Sequence, residues 1–186
     1  MTNLTEILNE LTGRKTLHVY DFDDTIVKTD TPIIVIGQDG SRKELTSHEY
    51  ATYVPKPGER FDFTEFDRMI RSSKPIDRNI DQLRASFSNV NIKTTILTAR
   101  RIAFPIMKHL RDTYKMNVYV VGVGSSDPER KADYIENEVK RGYTTVRFVD
   151  DSDKNLSAVA ARLRKYNINL ELINALTGKT VSEPYL

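Results

Sequence analysis

Five short runs rich in Val, Ile, Leu or Tyr recur along this chain, and helical patterns separate most of them. They are Leu17–Tyr20, Ile92–Leu97, Val118–Val123, Thr144–Val149 and Ile168–Ile173. Each has the length of a buried strand. Between them, Ile76, Ile80, Leu83 and Phe87 form one apolar stripe at helical spacing. Residues 126–142 carry Ser126 or Asp127 as a cap, Pro128 in the first turn and Gly142 as a stop. Residues 153–166 and 102–115 read as two more helices, with Pro105 tolerable only in a first turn. Strand–helix alternation of this kind predicts an α/β fold, a mainly parallel five-stranded sheet covered on both faces. Ligands in such folds bind at the carboxyl ends of the strands, near the point where strand order reverses.

Residues 31–66 interrupt the alternation. "TPIIVIGQDGSRKELT" reads as a hairpin with Asp39-Gly40 in its turn. Thr46 and Glu49 pair as a capping box for a short helix, and "VPKPGERFDF" reads as an irregular connection. This piece follows an acidic cluster directly, so a flap or small cap over that cluster is expected. At 186 residues the chain fits one domain with such an insertion. A net charge of +2 is too mild to argue for nucleic acid, and Arg162, Arg164 and Lys165 read as a solvated helix face. With no cysteine there is no disulfide and no thiolate chemistry. No apolar run reaches the length of a membrane span, and Met1–Glu10 lacks the pattern of a signal peptide. A cytoplasmic, membrane-free monomer is the expectation.

Two of the strand-like runs end in adjacent aspartates. Leu17–Tyr20 leads into Asp21, Asp23 and Asp24; Thr144–Val149 leads into Asp150 and Asp151. A helix cap would explain one carboxylate of either group. A calcium loop counted from Asp21 fails, because Ile26 and Pro32 stand where Gly and Glu are needed. Two neighbouring strand ends in a parallel sheet would bring four carboxylates together, which is costly without a divalent cation. Mg²⁺ suits oxygen donors and keeps waters for a phosphate to displace.

Other residues are informative only in company. Thr98 ends a strand-like run, where a threonine is commonly a cap. Arg100 is open to a substrate anion or to solvent. Lys131 lies in the first turn of a helix, where it opposes the dipole slightly. "TGKT" at 177–180 lacks the earlier glycine of a P-loop, and "GVGSSD" has Asp127 where a dinucleotide fingerprint needs its third glycine. His18, His48 and His109 show no metal-ligand spacing and read as structural or surface residues.

Asp21-Phe-Asp23-Asp-Thr25, then Thr98, Lys131 and the pair Asp150-Asp151 stand in one order. This resembles the haloacid dehalogenase superfamily, whose motifs are Asp-x-Asp-x-Thr/Val, a Ser/Thr, a Lys or Arg, and an acidic pair. The match covers residues 17–155, and the whole resembles small, small-cap phosphatases encoded by bacteriophages. The resemblance implies a three-layer Rossmann-like fold with the strand before Asp21 central and the strand before Asp150 beside it. It implies Asp21 as nucleophile forming an aspartyl-phosphate, and Asp23 as general acid and then base. Mg²⁺ would be held by Asp21, the Asp23 backbone carbonyl and Asp150, with Asp151 direct or through water. Thr98 would donate to the phosphoryl group and Lys131 would offset its charge; Thr25 and Arg100 are candidates for substrate binding. Asp24 has no role in this scheme.

The expectation is therefore a Mg²⁺-dependent phosphomonoesterase acting on a phosphorylated small molecule or a nucleic-acid end. A polynucleotide 3′-phosphatase would need a basic groove, with Arg42, Lys43, Arg100 and Arg101 as candidates. A receiver-type phosphoacceptor module places its acidic pair first and its lysine last, against the order found here. A catalytically silent phosphate-binding protein on the same fold is the remaining reading.

Overall fold

The computed structural model describes residues 15–70 and 72–181. The chain opens with β1 (Lys15–Tyr20) and then leaves the main body. This excursion holds β2 (Val27–Thr29), β3 (Ile33–Ile36), β4 (Arg42–Leu45), α1 (Ser47–Thr52), β5 (Arg60–Asp62) and β6 (Ser73–Pro75). It returns as α2 (Asp77–Ser88), β7 (Ile92–Thr98), α3 (Phe104–Tyr114) and β8 (Tyr119–Gly122). α4 (Pro128–Lys140), β9 (Tyr143–Asp150), α5 (Asp153–Leu163) and β10 (Asn169–Asn174) complete it.

Five strands pair in the order β10-β9-β1-β7-β8, all parallel, so their carboxyl ends share one edge. β1 is central and β9 lies beside it. Strand order reverses between them, since β7 and β8 build outward on one side of β1 and β9 and β10 on the other. The alternation of the strands divides the core in two. Leu17, Val19, Leu97, Val146 and Phe148 pack under α4 and α5. Tyr20, Ile96 and Val149 face the opposite way, toward Ile80 and Leu83 of α2 and Ile106 and Leu110 of α3. Helices thus cover both faces, in a three-layer α/β arrangement.

The expected stripe on α2 holds for Ile80 and Leu83 but not for Phe87, which is 39% exposed. α2 turns two small polar residues inward in its place. Ser86 bonds Tyr20 Oη at 2.8 Å and His18 Nδ1 at 2.7 Å. Asn79 donates to the carbonyls of Thr25 (2.7 Å) and Ala175 (3.2 Å). Buried amides and hydroxyls are tolerated when hydrogen-bonded, and a periodicity count of apolar residues does not see them. Caps follow the sequence reading more closely. Asp127 caps α4, Ser152 caps α5, and Pro105 sits in the first turn of α3. Arg162, read as a solvated cation, instead bonds Glu129 and Asp133 and ties α5 to α4.

The excursion is more ordered than its sequence suggests. β3 pairs with both β4 and β5 in a three-stranded antiparallel sheet, so the stretch read as irregular contains a strand. Thr46 and Glu49 form both bonds of the expected capping box. β2 and β6 form an antiparallel ribbon at its base, with Val27 opposite Pro75. That ribbon draws entry and exit together, so the unit spans more than residues 31–66. Among the described residues no helix is long and apolar enough to cross a membrane.

Candidate active site

Asp21 is the first residue past β1, and its amide donates to the carbonyl of Val149 at 2.9 Å. This bond extends the β1–β9 pairing by one step and pins Asp21 beside the end of β9. The chain then tightens into a turn in which the amides of Thr25, Ile26 and Val27 all point at the Phe22 carbonyl. Phe22, Ile26 and Val27 are fully buried and anchor the turn. Asp24 takes a left-handed φ of 57°, a conformation Asp tolerates better than most residues.

At the centre, Lys131 Nζ donates to Asp21 Oδ1 and Asp150 Oδ2, each at 2.7 Å. All three groups are buried. Asp150 is held further by Asn155 Nδ2 at 2.9 Å and by the Ser152 amide at 2.9 Å. Asp151 lies alongside, and the carboxylates of Asp21, Asp150 and Asp151 each offer an oxygen within 4.8 Å of the others. The electrostatics are lopsided. Burial, joined by the charges of Asp150 and Asp151, raises the Asp21 carboxyl well above its usual range against the pull of Lys131. Burial and Asp150 push Asp151 up to about 7. Burial disfavours the charge on Lys131, but the two carboxylates outweigh it and its pKa is raised.

Two residues further on, Asp23 meets different surroundings. Arg100 Nε donates to its Oδ2 at 2.8 Å and Nη2 to its Oδ1 at 2.6 Å. Thr29 Oγ1 adds a third bond at 2.9 Å. The guanidinium is 1% exposed, stacks 4.0 Å from the Phe66 ring centroid and donates to the Phe66 carbonyl. The sequence leaves Arg100 open to a substrate anion or to solvent; in the structure its donors are engaged by Asp23, Thr29 and Phe66 instead. Gly122 lets β8 pass close to the backbone of Arg100 and Arg101, since a Cβ there would lie 2.5 Å from the Arg100 carbonyl oxygen. That requirement accounts for one glycine of "GVGSSD" without any dinucleotide.

Thr25 also differs from its reading as a substrate-binding residue. It is fully buried, accepts from the Asp151 amide at 3.1 Å and donates to Asp151 Oδ1 at 3.3 Å. It therefore positions Asp151. Thr98, at the end of β7, lines the cavity with Asp21, and its hydroxyl accepts from the Arg100 amide at 3.2 Å. Asp24 acquires a partner at the start of α1, accepting from Ser47 Oγ at 2.6 Å. Asn155, Asn79, Ser47 and Phe66 were missed in the sequence. Only Asn155, one turn past the acidic pair, carried a signal that could have found it.

The basic residues considered for a nucleic-acid groove have local partners. Arg101 bonds Asp67, Arg42 lies 3.9 Å from Asp62, and Lys43 sits over the Tyr53 ring. The donor set does suit a hard divalent cation. Three carboxylates against one ammonium leave a formal charge of −3 + 1 = −2 at Asp21, Asp150, Asp151 and Lys131. Asp21 and Asp151 line the cavity, whereas Asp150 is fully buried behind them. The carboxylate of Asp23 is committed to Arg100, so its backbone carbonyl is the donor it has left to offer. Comparison with protein-family models, with curated proteins and with solved structures finds no match to this chain.

Proposed function

We propose that this chain is a Mg²⁺-dependent phosphomonoesterase of the haloacid dehalogenase kind, working through an aspartyl-phosphate. The observation that carries the reading is the bridge from Lys131 to Asp21 and Asp150, with Asp151 beside it and two negative charges uncompensated. A structural ion pair needs one carboxylate per lysine; an excess at the carboxyl edge of a parallel sheet suits a divalent cation, and the cation in turn is what draws a phosphate. Asp21, Asp151 and Asp150 would hold the ion with the Asp23 carbonyl, and the ion supplies charge neutralisation for the phosphoryl oxygens.

Asp21 uses the oxygen not engaged by Lys131 to attack phosphorus, and the bond to the leaving oxygen breaks. Lys131 holds the attacking carboxylate in one orientation. The Thr98 hydroxyl is within the same cavity to donate to a phosphoryl oxygen. Asp23 gives its proton to the leaving oxygen, then takes one from the water that attacks phosphorus and frees Asp21. Both oxygens of Asp23 accept hydrogen bonds in this arrangement, so proton donation requires the Arg100 fork to loosen first. Arg100 is then a positioning residue for Asp23.

The same fork favours one competing reading, a silent phosphate-binding protein in which Asp23 never leaves Arg100. Release of phosphate from a panel of phosphomonoesters, with and without Mg²⁺, separates the two. Metal-dependent turnover supports the esterase; phosphate binding with no turnover on any substrate supports the silent form.

A further inference from the structure

Above the carboxylates, the cap presents a wall of aromatic rings that its own packing does not use up. The buried residues of its small sheet are Ile33, Ile34, Val35 and Leu45, with Phe66 buried beyond β5. Tyr50, Phe61 and Phe63 remain partly or openly exposed and line the same cavity as Asp21 and Thr98. Tyr50 meets Phe61 edge-on at 5.0 Å and Phe63 at 5.5 Å. Two bonds hold this wall over the cleft. Tyr50 Oη reaches Ser126 Oγ at 3.2 Å in the loop before α4, and Ser47 reaches Asp24 beside the carboxylate cluster. The cavity measures about 900 Å³, within the range that takes a small ligand whole and far larger than one phosphate group needs.

We propose that this wall is a stacking platform for a nucleobase, and that the site takes a single nucleotide; the inference rests on the phosphomonoesterase reading. A planar heterocycle matches flat rings held by edge-to-face neighbours, and base–aromatic stacking tolerates any base. Charge limits the ligand to one nucleotide. Asp24, Asp67 and Asp127 also line the cavity, Arg101 is paired with Asp67, and Lys154 adds a single further cation, so a run of further phosphates would meet more carboxylate than ammonium. The terminal phosphate has its own place beside Lys131 and Thr98.

The test compares ligands that differ by the base alone. The adenosine monophosphate, 5′ or 3′, that binds more tightly is titrated by calorimetry against ribose 5-phosphate, using the full chain carrying Asp21→Asn with Mg²⁺. The expected result is about 5–150-fold tighter binding of the nucleotide. Phe63→Ala, at a ring 36% exposed and safe for the fold, should erase most of that preference, and Phe63→Trp should keep it. Ribose 5-phosphate should bind the variants alike. Equal affinities, a preference that survives Phe63→Ala with Tyr50→Leu, or a 3′-phosphorylated oligonucleotide binding tenfold more tightly than the nucleotide would overturn the proposal. Turnover by the wild type separates the two layers. Hydrolysis of both sugar phosphates with equal kcat/KM sinks the platform and leaves the esterase; base-dependent binding with no hydrolysis does the reverse.

Discussion

Asp21 and Asp23 are two residues apart, on one turn, and their surroundings are opposite. Asp21 shares a single ammonium with Asp150 and has Asp151 close by, so its pocket is short of positive charge. Asp23 has a whole guanidinium, an added hydroxyl and an aromatic ring behind them. A buried carboxylate with its own partner is finished; one without enough partners is either protonated or waiting for a cation. In the proposed mechanism the first site receives the cation, and the second holds its side chain still until the Arg100 fork loosens. Two aspartates separated by a single residue can therefore carry different chemistry, decided by residues about a hundred positions away.

The largest way to break this contrast is Asp23→Asn. It should lower phosphate release by about 10²–10⁴-fold while leaving the stabilisation by Mg²⁺ in place. Thermal shifts with and without the ion, beside the turnover assay, check both halves. Near-normal turnover would remove the proton-handling role from Asp23.

A second contrast compares the two cations. Removing either leaves buried carboxylate uncompensated and should cost about 3–5 kcal/mol in the metal-free protein. The rescue should differ. In Lys131→Met, Mg²⁺ should recover much of the loss, because the ion replaces charge at the same oxygens. In Arg100→Ala it should recover little beyond the shift seen in the wild type. Denaturant titrations at fixed Mg²⁺ measure this, and equal rescue would show that the two pockets are not electrically separate.

Smaller still is the pH dependence of metal binding. Burial and Asp150 push Asp151 up to about 7, and Asp21 is raised with it, so protons compete with Mg²⁺ more strongly as pH falls. At an ion concentration 100 times its dissociation constant at pH 8, Mg²⁺ should stabilise the fold by about 2.7 kcal/mol. The same concentration should give clearly less at pH 6. Asp151→Asn should bind the ion more weakly and flatten the difference.

The smallest effect lies away from the site. Burial, with the charge of Arg147, lowers His18 to about 4 from an ordinary 6.5. The unfolded chain therefore takes up a proton over a range where the fold does not. This contribution to stability is complete above pH 6.5 and is lost as pH falls toward 4. Because the ring is only part-buried, about 1–2 kcal/mol is expected rather than the full shift. His18→Gln should remove that slope from a stability–pH curve.

What the sequence carried and what it hid follow one rule. β1, β7, β8, β9 and β10 were legible to within about two residues at their ends, because buried parallel strands are near-continuous apolar runs. The acidic pairs were legible because they end such runs. β2, β5 and β6 were not, since three-residue strands such as Ser73–Pro75 owe their form to a partner across the chain. The pairing of Arg100 is hidden for the same reason. Nothing near it in sequence announces that Asp23 lies 77 positions back, within reach of its fork. Asn79, reaching from α2 to the Thr25 carbonyl, gave no local sign at all.

The most direct test of the central claim is phosphate release from an aryl phosphate by the wild type and by Asp21→Asn, each with Mg²⁺ and with a chelator. The account predicts turnover in one of the four conditions, the wild type with Mg²⁺, and a fall on the order of 10⁴-fold or more in the variant. Turnover that persists in Asp21→Asn, or that ignores the chelator, would contradict it.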